Sequence, residues 1–320
     1  MSVNIAFFLH FYPYRIFGQP KHVKSKSYLL YTIPILLFLI HTKQVPQSDR
    51  SYMDLKLHAK RALITGSSAG IGQACAKLLA EEGATVVIHG RNERELERTA
   101  AEIKDKGGTV HIVKGDLSID EEAKRVCDEA LEAVGTIDIL VNNAGAYHYL
   151  SDWLTTEPKE WLDIFNINVV SMVRMIHWLT PKMTESGWGR IIQIASVAGT
   201  HPKKASPDYS ASKCANINMT VSLSKELTGT GITVNTVSPG PILTKSTEEM
   251  FRELAKTRKW GSDWANIEKH AMQEFYPISI GRFGKPEEVA ALVTFLASPL
   301  ADFITGADYR IDGGRAGSIN

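Results

Sequence analysis

Short apolar runs alternate with segments of helical periodicity through the body of the chain. Most runs are continuous rather than alternating in polarity, which is typical of strands buried on both faces of a parallel sheet. In the segment Ile71–Glu82 the apolar residues Ala74, Leu78 and Leu79 recur at helical spacing, and Gly83 ends the pattern. The alternation predicts an α/β fold with a doubly wound parallel sheet. The seven predicted strands are Arg61–Thr65, Ala84–His89, Thr109–Val113, Ile137–Val141, Arg190–Ala195, Ile232–Val237 and Asp308–Ile311.

Residues 53–320 contain no long Pro/Gly/Ser linker and no internal repeat, so we expect them to form a single domain. Within it, residues 245–280 are a long stretch for a connection in a compact domain, which predicts a lid over a substrate site. Four aromatic residues of this stretch either line an apolar pocket or pack the lid onto the body. They are Trp260, Trp264, Phe275 and Tyr276.

Residues 1–52 have a different character. Segment 28–40 is almost wholly apolar, but it is shorter than the roughly 20 residues that a membrane-spanning helix needs, and Pro34 interrupts it. Three interpretations are open: a membrane-binding anchor, a secretory signal, or residues upstream of a native start at Met53 that are a gene-model artefact or a disordered tail. We favour the third, because the sequence from Met53 leads directly into the first strand. Membrane contact is expected only through residues 1–50.

Composition and charge exclude several classes of function. The formal net charge is +1 and no dense stripe of Lys and Arg is present, so we expect no nucleic-acid partner. Cys75, Cys127 and Cys214 are far apart and the histidines form no HExxH motif, so we expect neither disulfides nor a metal site. A reducing compartment, the cytoplasm, fits this cysteine usage best.

A glycine-rich turn follows the first predicted strand. Gly66, Gly70 and Gly72 lie where the chain must turn sharply into a helix and let a pyrophosphate approach the backbone. The N-terminus of that helix offers unpaired N–H groups and a partial positive charge to the phosphates. Strand, glycine turn and helix together predict a Rossmann-type dinucleotide site.

The end of the second predicted strand indicates which dinucleotide binds. NAD-preferring sites place an acidic residue about 20 positions after the glycines, where it bonds the ribose hydroxyls. Here the chain reads Gly90-Arg91-Asn92, and the guanidinium of Arg91 is suited to a 2′-phosphate. We therefore expect NADP(H) to be preferred over NAD(H). The alternative is that Arg91 caps the start of a solvated helix.

Tyr209 and Lys213 stand four residues apart, on one face of a predicted helix. Transfer of a hydride to a ketone requires a proton donor at the developing alkoxide. Bringing the pKa of a phenol from near 10 toward neutrality requires about 3–4 kcal/mol of preference for phenolate. A neighbouring ammonium provides such a preference, so we expect Lys213 to lower the pKa of Tyr209.

These motifs, taken in order, resemble those of the short-chain dehydrogenase/reductase family. Residues 65–72, TGSSAGIG, are similar to its TGxxxGIG signature, and residues 142–145, NNAG, to the segment that follows its fourth strand. Asp116 matches the aspartate that the family uses at the adenine ring. Pro239-Gly240 matches the motif after its sixth strand, and Thr244 the threonine near the carboxamide. The resemblance covers residues from about 55 to 314.

The resemblance also implies a catalytic tetrad. Ser196, thirteen positions before Tyr209, matches the serine that holds the substrate oxygen, and Asn168 the asparagine that supports a water on the proton route from Lys213. Ser196 and Tyr209 would contact the substrate, and Lys213 would also bond the nicotinamide ribose. Taken alone, Asn168 could equally satisfy helix backbone and Ser196 could cap a turn. The implied catalytic residues are Asn168, Ser196, Tyr209 and Lys213.

A cofactor site and an oligomer follow from the same resemblance. We expect a homotetramer or homodimer built through the helix that carries Tyr209. Tyr147 and His148 face the substrate region in the resembling fold, although an exposed role is equally open for His148. The implied cofactor-binding residues are Gly66, Ser68, Ala69, Gly70, Ile71, Gly72, Arg91, Asn92, Asp116, Leu117, Asn143, Ala144, Gly145, Tyr209, Lys213, Pro239, Gly240, Ile242 and Thr244.

The sequence thus predicts an NADP(H)-dependent oxidoreductase that interconverts a carbonyl and a secondary alcohol of a small molecule. Residues 281–289 and 312–314 are typical of the 3-oxoacyl-[acyl-carrier-protein] reductase branch of the family, which favours a 3-oxoacyl thioester as substrate. A membrane-anchored reductase of lipophilic, steroid- or retinoid-like substrates is one alternative, and a sugar reductase is another. A noncatalytic dinucleotide-sensing protein is the remote alternative, because such a protein usually loses the tyrosine or the lysine.

Overall fold

The computed structural model describes residues 53–147, 152–202 and 204–317. All of the described strands and helices belong to one compact unit, Asp54–Asn320. The N-terminal extension over 1–52, with its apolar segment 28–40, and His148 lie outside the described residues. No described helix is both long enough and apolar enough to cross a bilayer.

Seven parallel strands form a single sheet in the order β3-β2-β1-β4-β5-β6-β7. This order confirms the predicted doubly wound α/β fold, and each strand begins and ends within two residues of its predicted bounds. The chain winds outward in opposite directions from β1 and β4, so a crevice opens between the carboxyl ends of these two strands. The strands are β1 Arg61–Ile64, β2 Thr85–Gly90, β3 Val110–Lys114, β4 Ile139–Asn142, β5 Gly189–Ile194, β6 Ile232–Pro239 and β7 Asp308–Ile311.

Successive residues of the central strands enter two separate apolar cores. In β1, Ala62 and Ile64 belong to one core, whereas Leu63 belongs to the other, and all three are fully buried. Helices cover both faces of the sheet, so both sets of side chains are removed from water. This is why the strands read as continuous apolar runs in the sequence.

Nine α-helices lie in the described part of the chain. The first begins at Gly70, one residue before its predicted start, and Gly83 follows its end with a φ of +89°. Glycine is suited to this left-handed backbone because it has no Cβ. The helices are α1 Gly70–Glu81, α2 Glu93–Asp105, α3 Asp120–Val134, α4 Pro158–Phe165, α5 Ser171–Ser186, α6 Pro207–Glu226, α7 Lys245–Arg258, α8 Trp264–Glu274 and α9 Pro286–Ala297.

Residues 245–280, predicted as a lid, contain helices α7 and α8 and an apolar core of their own. Phe251, Ala255, Ile267 and Ala271 are buried in it. Trp260 is also buried there and stacks on His270 with 5.2 Å between ring centroids. Trp260 therefore packs inside this segment. The same core also includes Phe283, which follows the segment in the chain.

Candidate active site

The glycine turn after β1 lies in the crevice and packs against the turn after β4. Gly66 has a φ of +65°, and a Cβ built on it would lie 2.9 Å from the Cα of Ala144. A Cβ on Gly72 would lie 2.5 Å from the carbonyl oxygen of Gly66. Both positions therefore exclude any side chain, because the backbone itself occupies the space. The predicted need for glycine here has a direct steric cause.

Asn143 and Thr65 lock the two turns together. The Asn143 amide nitrogen Nδ2 donates to the carbonyl oxygens of Thr65 (2.9 Å) and Gly66 (3.0 Å). The Thr65 hydroxyl accepts from the backbone N–H groups of Asn143 and Ala144, both over 2.9 Å. The Asn143 side chain, which the family resemblance places in the cofactor site, thus supports the glycine turn rather than facing open space.

Helix α1 begins in the crevice without a capping side chain. Its N-cap is Ala69, which makes no side-chain hydrogen bond to the first turn, whereas Asn92 caps α2 and Thr244 caps α7. The first N–H groups of α1 are thus available to an anion, which suits a pyrophosphate. The loop after β6 adjoins this turn, since a Cβ on Gly70 would lie 3.3 Å from Thr244 Cγ2.

His89 links the ends of three strands, and the sequence interpretation did not include it. Its Nδ1 accepts from the backbone N–H of Gly66 over 3.3 Å, and its Nε2 lies 3.1 Å from the carbonyl oxygen of Gly115. This pairing fixes a neutral imidazole with its proton on Nε2. Burial lowers the pKa of His89 to about 4, so the ring stays neutral at physiological pH.

Arg91 stands at the edge of the crevice, after β2. Its side chain is 69% exposed, and Nη1 lies 3.5 Å from a carboxylate oxygen of Asp116. The Ser118 hydroxyl donates to Asp116 over 2.7 Å and holds the pKa of that carboxyl below its usual range. Asn92, not Arg91, caps helix α2, because its side chain accepts from the N–H of Glu95. The alternative that Arg91 serves as the helix cap is therefore wrong, and its exposed guanidinium can meet a phosphate.

The remaining residues of the implied cofactor site lie along the same strand ends. Ser68 and Ile71 belong to the glycine turn and the first turn of α1, and Leu117 follows Asp116 after β3. Pro239 ends β6, while Gly240 and Ile242 continue from it. All of these segments follow the carboxyl ends of parallel strands, so they share one edge of the sheet.

Tyr209 and Lys213 lie one turn apart on α6, with Ser196 beside the phenol. The Ser196 side chain interacts with the Tyr209 phenol and acts to lower its pKa, and both residues line the same cavity. Ser196 also caps the short 3₁₀ turn after β5, where its Oγ accepts from the N–H of Ala198 over 3.1 Å. The ammonium of Lys213 is buried, donates to the carbonyl oxygen of Ile194 over 3.0 Å, and lies 5.6 Å from the centroid of the Tyr209 ring.

The pKa values of this pair differ from the sequence-based expectation. Burial raises the pKa of Tyr209 to about 12, although the interaction with Ser196 acts in the opposite direction. Burial also lowers the pKa of Lys213 to about 8. The pKa of Tyr209 is thus not near neutrality, because desolvation opposes the charged forms of both side chains. Tyr209 therefore carries its proton at neutral pH.

Asn168 lies in a π-helical turn, Asn166–Val170, between α4 and α5, and its side chain is fully buried. Its Oδ1 accepts from the N–H of Ala146 (2.7 Å), and its Nδ2 donates to the carbonyl of Ala146 (3.0 Å) and to the Ser212 hydroxyl (3.0 Å). Local π turns often occur at functional sites. A Cβ on Gly145 would lie 3.0 Å from Asn168 Oδ1 and 3.5 Å from Lys213 Nζ, so these side chains adjoin the same small gap.

A cavity of about 140 Å³ opens over Tyr209 and Ser196. Tyr147 packs edge-on against the Tyr209 ring, with 4.8 Å between ring centroids. Tyr276, from the segment predicted as a lid, and Arg315, from the C-terminal segment, also line this cavity. A second cavity of about 400 Å³, beside helix α7, shares Tyr147 and Tyr276 with the first. The sequence interpretation missed Arg315, which follows the Asp312-Gly313-Gly314 motif.

Comparison with known proteins gives the family. Residues 60–255 match the family model described as short chain dehydrogenase. The chain belongs to this family. It is 39% identical over 268 residues to the uncharacterized oxidoreductase YvaG of Bacillus subtilis, covering 83% of this chain and 100% of that one. It is 36% identical over 263 residues to the 3-oxoacyl-[acyl-carrier-protein] reductase FabG of Aquifex aeolicus, covering 82% and 99% of the two chains.

Solved structures of related reductases resemble the fold closely. The L-sorbose reductase of Gluconobacter frateurii, solved with NADPH and L-sorbose, has a TM-score of 0.79 and 34% identity, over 83% of this chain and 100% of that one. A single-residue variant of the actinorhodin polyketide ketoreductase, solved with NADPH, has a TM-score of 0.73 and 31% identity, over 80% and 97%. As a short-chain dehydrogenase with these relatives, the protein is an NAD(P)-dependent oxidoreductase, as predicted.

Proposed function

We propose that this short-chain dehydrogenase uses NADP(H) to interconvert a carbonyl and a secondary alcohol, with Tyr209 as the proton donor and acceptor. The observation that carries the proposal is that Ser196 and Tyr209 line one cavity, with the Ser196 side chain close enough to the phenol to act on its pKa. A carbonyl oxygen that enters this cavity meets two hydroxyl groups. Such a pair both orients the oxygen and supplies the proton that the developing alkoxide requires.

The residues around the glycine turn fit a dinucleotide. The uncapped N-terminus of α1 suits the pyrophosphate, and the side-chain-free surface of Gly66 and Gly72 lets it approach the backbone. Bound NADPH supplies the hydride that reduces the carbonyl carbon. Lys213 lies beside Gly145, with the Tyr209 ring 5.6 Å from its ammonium, and the two side chains would hold the nicotinamide end of the cofactor.

Each catalytic side chain has a separate task in the proposed reaction. Tyr209, protonated at neutral pH because its pKa is about 12, donates its proton to the alkoxide as that charge forms. Ser196 holds the same oxygen in line with the phenol. The positive charge of Lys213 stabilises the phenolate that remains. Asn168 fixes the Ala146 backbone and Ser212, and so positions the residues around Lys213.

The preference for NADPH over NADH rests on Arg91. Its guanidinium is exposed at the end of β2 and is paired weakly, over 3.5 Å, with Asp116. A 2′-phosphate would offer it paired hydrogen bonds and a double negative charge. NADPH is also the cofactor in the solved L-sorbose reductase and polyketide ketoreductase, which supports the same preference here.

For the substrate we propose a carbonyl compound that is small or carries a 3-oxoacyl group. Relatives such as the Aquifex FabG are named 3-oxoacyl-[acyl-carrier-protein] reductases, and the Gluconobacter relative binds L-sorbose. The cavity over Tyr209 has a volume of about 140 Å³. Engineered cavities of about this volume in other proteins hold a molecule the size of benzene, so a small carbonyl compound fits here. We further propose the homo-oligomer through α6 that the family resemblance implies.

A carbonyl panel tests the proposed function. Oxidation of NADPH is followed by its absorbance with sugars, 3-oxoacyl thioesters and simple ketones, each also with NADH in place of NADPH. We expect at least one carbonyl to be reduced, with a higher kcat/KM for NADPH than for NADH. Absence of turnover for every carbonyl and for the matching alcohols with NADP⁺ would contradict an enzymatic role.

A further inference from the structure

Arg315 is the permanently charged residue of the cavity that contains Tyr209 and Ser196. Tyr147, His201 and Tyr276 are the other titratable residues around it, and no described lining residue is acidic. The same cavity is thus lined by a fixed positive charge and by the two hydroxyls that would hold a carbonyl oxygen. A cavity of one sign of charge with low-dielectric walls attracts ligands of the opposite sign.

A tight turn holds Arg315 in place. The carboxylate of Asp312 accepts from the backbone N–H groups of Gly314 (3.0 Å) and Ala316 (2.8 Å), on either side of Arg315. The Arg315 N–H donates to the Asp312 carbonyl over 3.3 Å. Backbone donors therefore occupy the Asp312 carboxylate on both of its oxygens. The position of the guanidinium is thus set by the backbone of the turn.

The guanidinium itself is only partly satisfied. It lies over the ring of Tyr276, 4.8 Å from the ring centroid, which is a cation–π contact. Its Nη1 is buried, and no described group accepts a hydrogen bond from it. Leaving a charged donor buried without an acceptor is costly, so a ligand that brings an acceptor is favoured. A carboxylate offers two oxygens that match the paired N–H groups of a guanidinium.

We propose that Arg315 is a specificity-determining residue that binds the carboxylate of an oxo-acid substrate while its carbonyl lies on Ser196 and Tyr209. The inference rests on the proposed function, because the carbonyl must occupy the cavity for the carboxylate to reach Arg315. A short oxo acid fits the cavity of about 140 Å³ that Arg315 lines. Tyr276, which belongs to the lid, covers the guanidinium on one side and restricts its movement.

Matched pairs of charged and neutral substrates test the proposal. We would measure kcat/KM with saturating NADPH for pyruvate, 3-oxobutanoate and 4-oxopentanoate, each against its methyl ester. The unmodified enzyme should prefer at least one carboxylate over its ester by roughly 10- to 100-fold, the range for a hydrogen bond to a charged group. Arg315→Gln should abolish this preference by lowering kcat/KM for the carboxylate, with the ester changed less than about threefold. Arg315→Lys should keep part of the preference.

Several results would overturn the inference without affecting the proposed function. They are a preference for every ester over its acid, an equal loss of kcat/KM for acid and ester in Arg315→Gln, or a rise in KM for NADPH alone.

A binding measurement replaces the kinetic one if the unmodified enzyme reduces none of these carbonyls. The quantity measured is then the rise in Tm that 4-oxopentanoate causes with NADPH present. A rise lost in Arg315→Gln supports the inference, and no rise, or one that persists in the variant, overturns it. Turnover in the wider carbonyl panel then decides the proposed function separately.

Discussion

The imidazole of His89 accepts a hydrogen bond from the backbone N–H of Gly66 across the boundary between β2 and the glycine turn, over 3.3 Å. Its other nitrogen contacts the carbonyl oxygen of Gly115, which precedes Asp116. One buried ring thereby joins the segment that would hold the pyrophosphate to the segment that would hold the adenine. His89 is a positioning residue in this arrangement, because its ring is bonded to backbone groups.

His89→Phe should weaken cofactor binding more than it slows the chemical step. The variant keeps an aromatic ring but removes both hydrogen bonds, which leaves the Gly66 N–H and the Gly115 carbonyl unpaired. We expect KM for NADPH to rise roughly 10-fold, because an unmade buried hydrogen bond costs on the order of 1–3 kcal/mol. His89→Gln, whose amide can both donate and accept, should restore part of the affinity. A fall in kcat with an unchanged KM would contradict this role.

His89 should also make the folded state sensitive to acid. Its folded pKa, about 4, lies below the ordinary value of 6.5, so the unfolded chain binds more protons between these pH values. The free energy of unfolding should therefore fall by about 3 kcal/mol as the pH drops from 6.5 to 4. Urea titrations of the unmodified protein and of His89→Gln measure this slope. The two proteins should differ in slope within this window and be parallel above about pH 7; equal slopes throughout would contradict the expectation.

Arg91→Ala should change cofactor preference rather than general activity. The exposed guanidinium has no role in a helix cap, since Asn92 fills that position, so its removal leaves the fold intact. We expect kcat/KM with NADPH to fall roughly 10- to 100-fold, because a charge-assisted contact to the 2′-phosphate is lost. The value with NADH should change less than about threefold. An equal fall in kcat/KM with NADPH and with NADH would show that Arg91 does not bind the 2′-phosphate.

Because of Lys213, the pH profile of kcat/KM should have a basic limb, in which activity falls above about pH 8. The pKa of its ammonium is lowered to about 8, and the protonated form is the one that stabilises phenolate, so function is retained below pH 8 and lost as the pH rises through it. The kcat/KM for NADPH reports the free enzyme and should fall about tenfold per pH unit above this value. Lys213→Arg stays charged, so its weaker activity should lack this limb. An unchanged limb in that variant would assign the titration to another group.

The sequence predicted the sheet well because both faces of the strands are covered. The central strands β1 and β4 are largely runs of buried apolar residues such as Leu63 and Ile64, and the observed bounds of all seven strands differ from the predicted ones by no more than two positions. The glycine turn was equally predictable, since backbone fills the space beside Gly66 and Gly72. The strand bounds and the glycine turn depend on local chain geometry, so the pattern of residues in the sequence predicts them.

Features that depend on segments distant in the chain could not be predicted in this way. His89 ends an apolar strand and reads as one polar residue in it, and only the pairing of β1 with β2 brings it to Gly66. Arg315 reaches the cavity through the turn at Asp312, far along the chain from Tyr209. The pKa of Tyr209 depends on the balance between burial and charge. The four-residue spacing between Tyr209 and Lys213 gives no information about that balance.

Tyr209→Phe tests the central claim most directly. The variant keeps the ring and its edge-on contact with Tyr147 but removes the hydroxyl that shares the cavity with Ser196. Loss of a general acid typically lowers the rate by roughly 10²- to 10⁴-fold. Single-turnover reduction with bound NADPH should slow by this factor, with the NADPH dissociation constant unchanged within about threefold. A single-turnover rate within about a factor of three of the unmodified enzyme would contradict the assignment of Tyr209 as the proton donor.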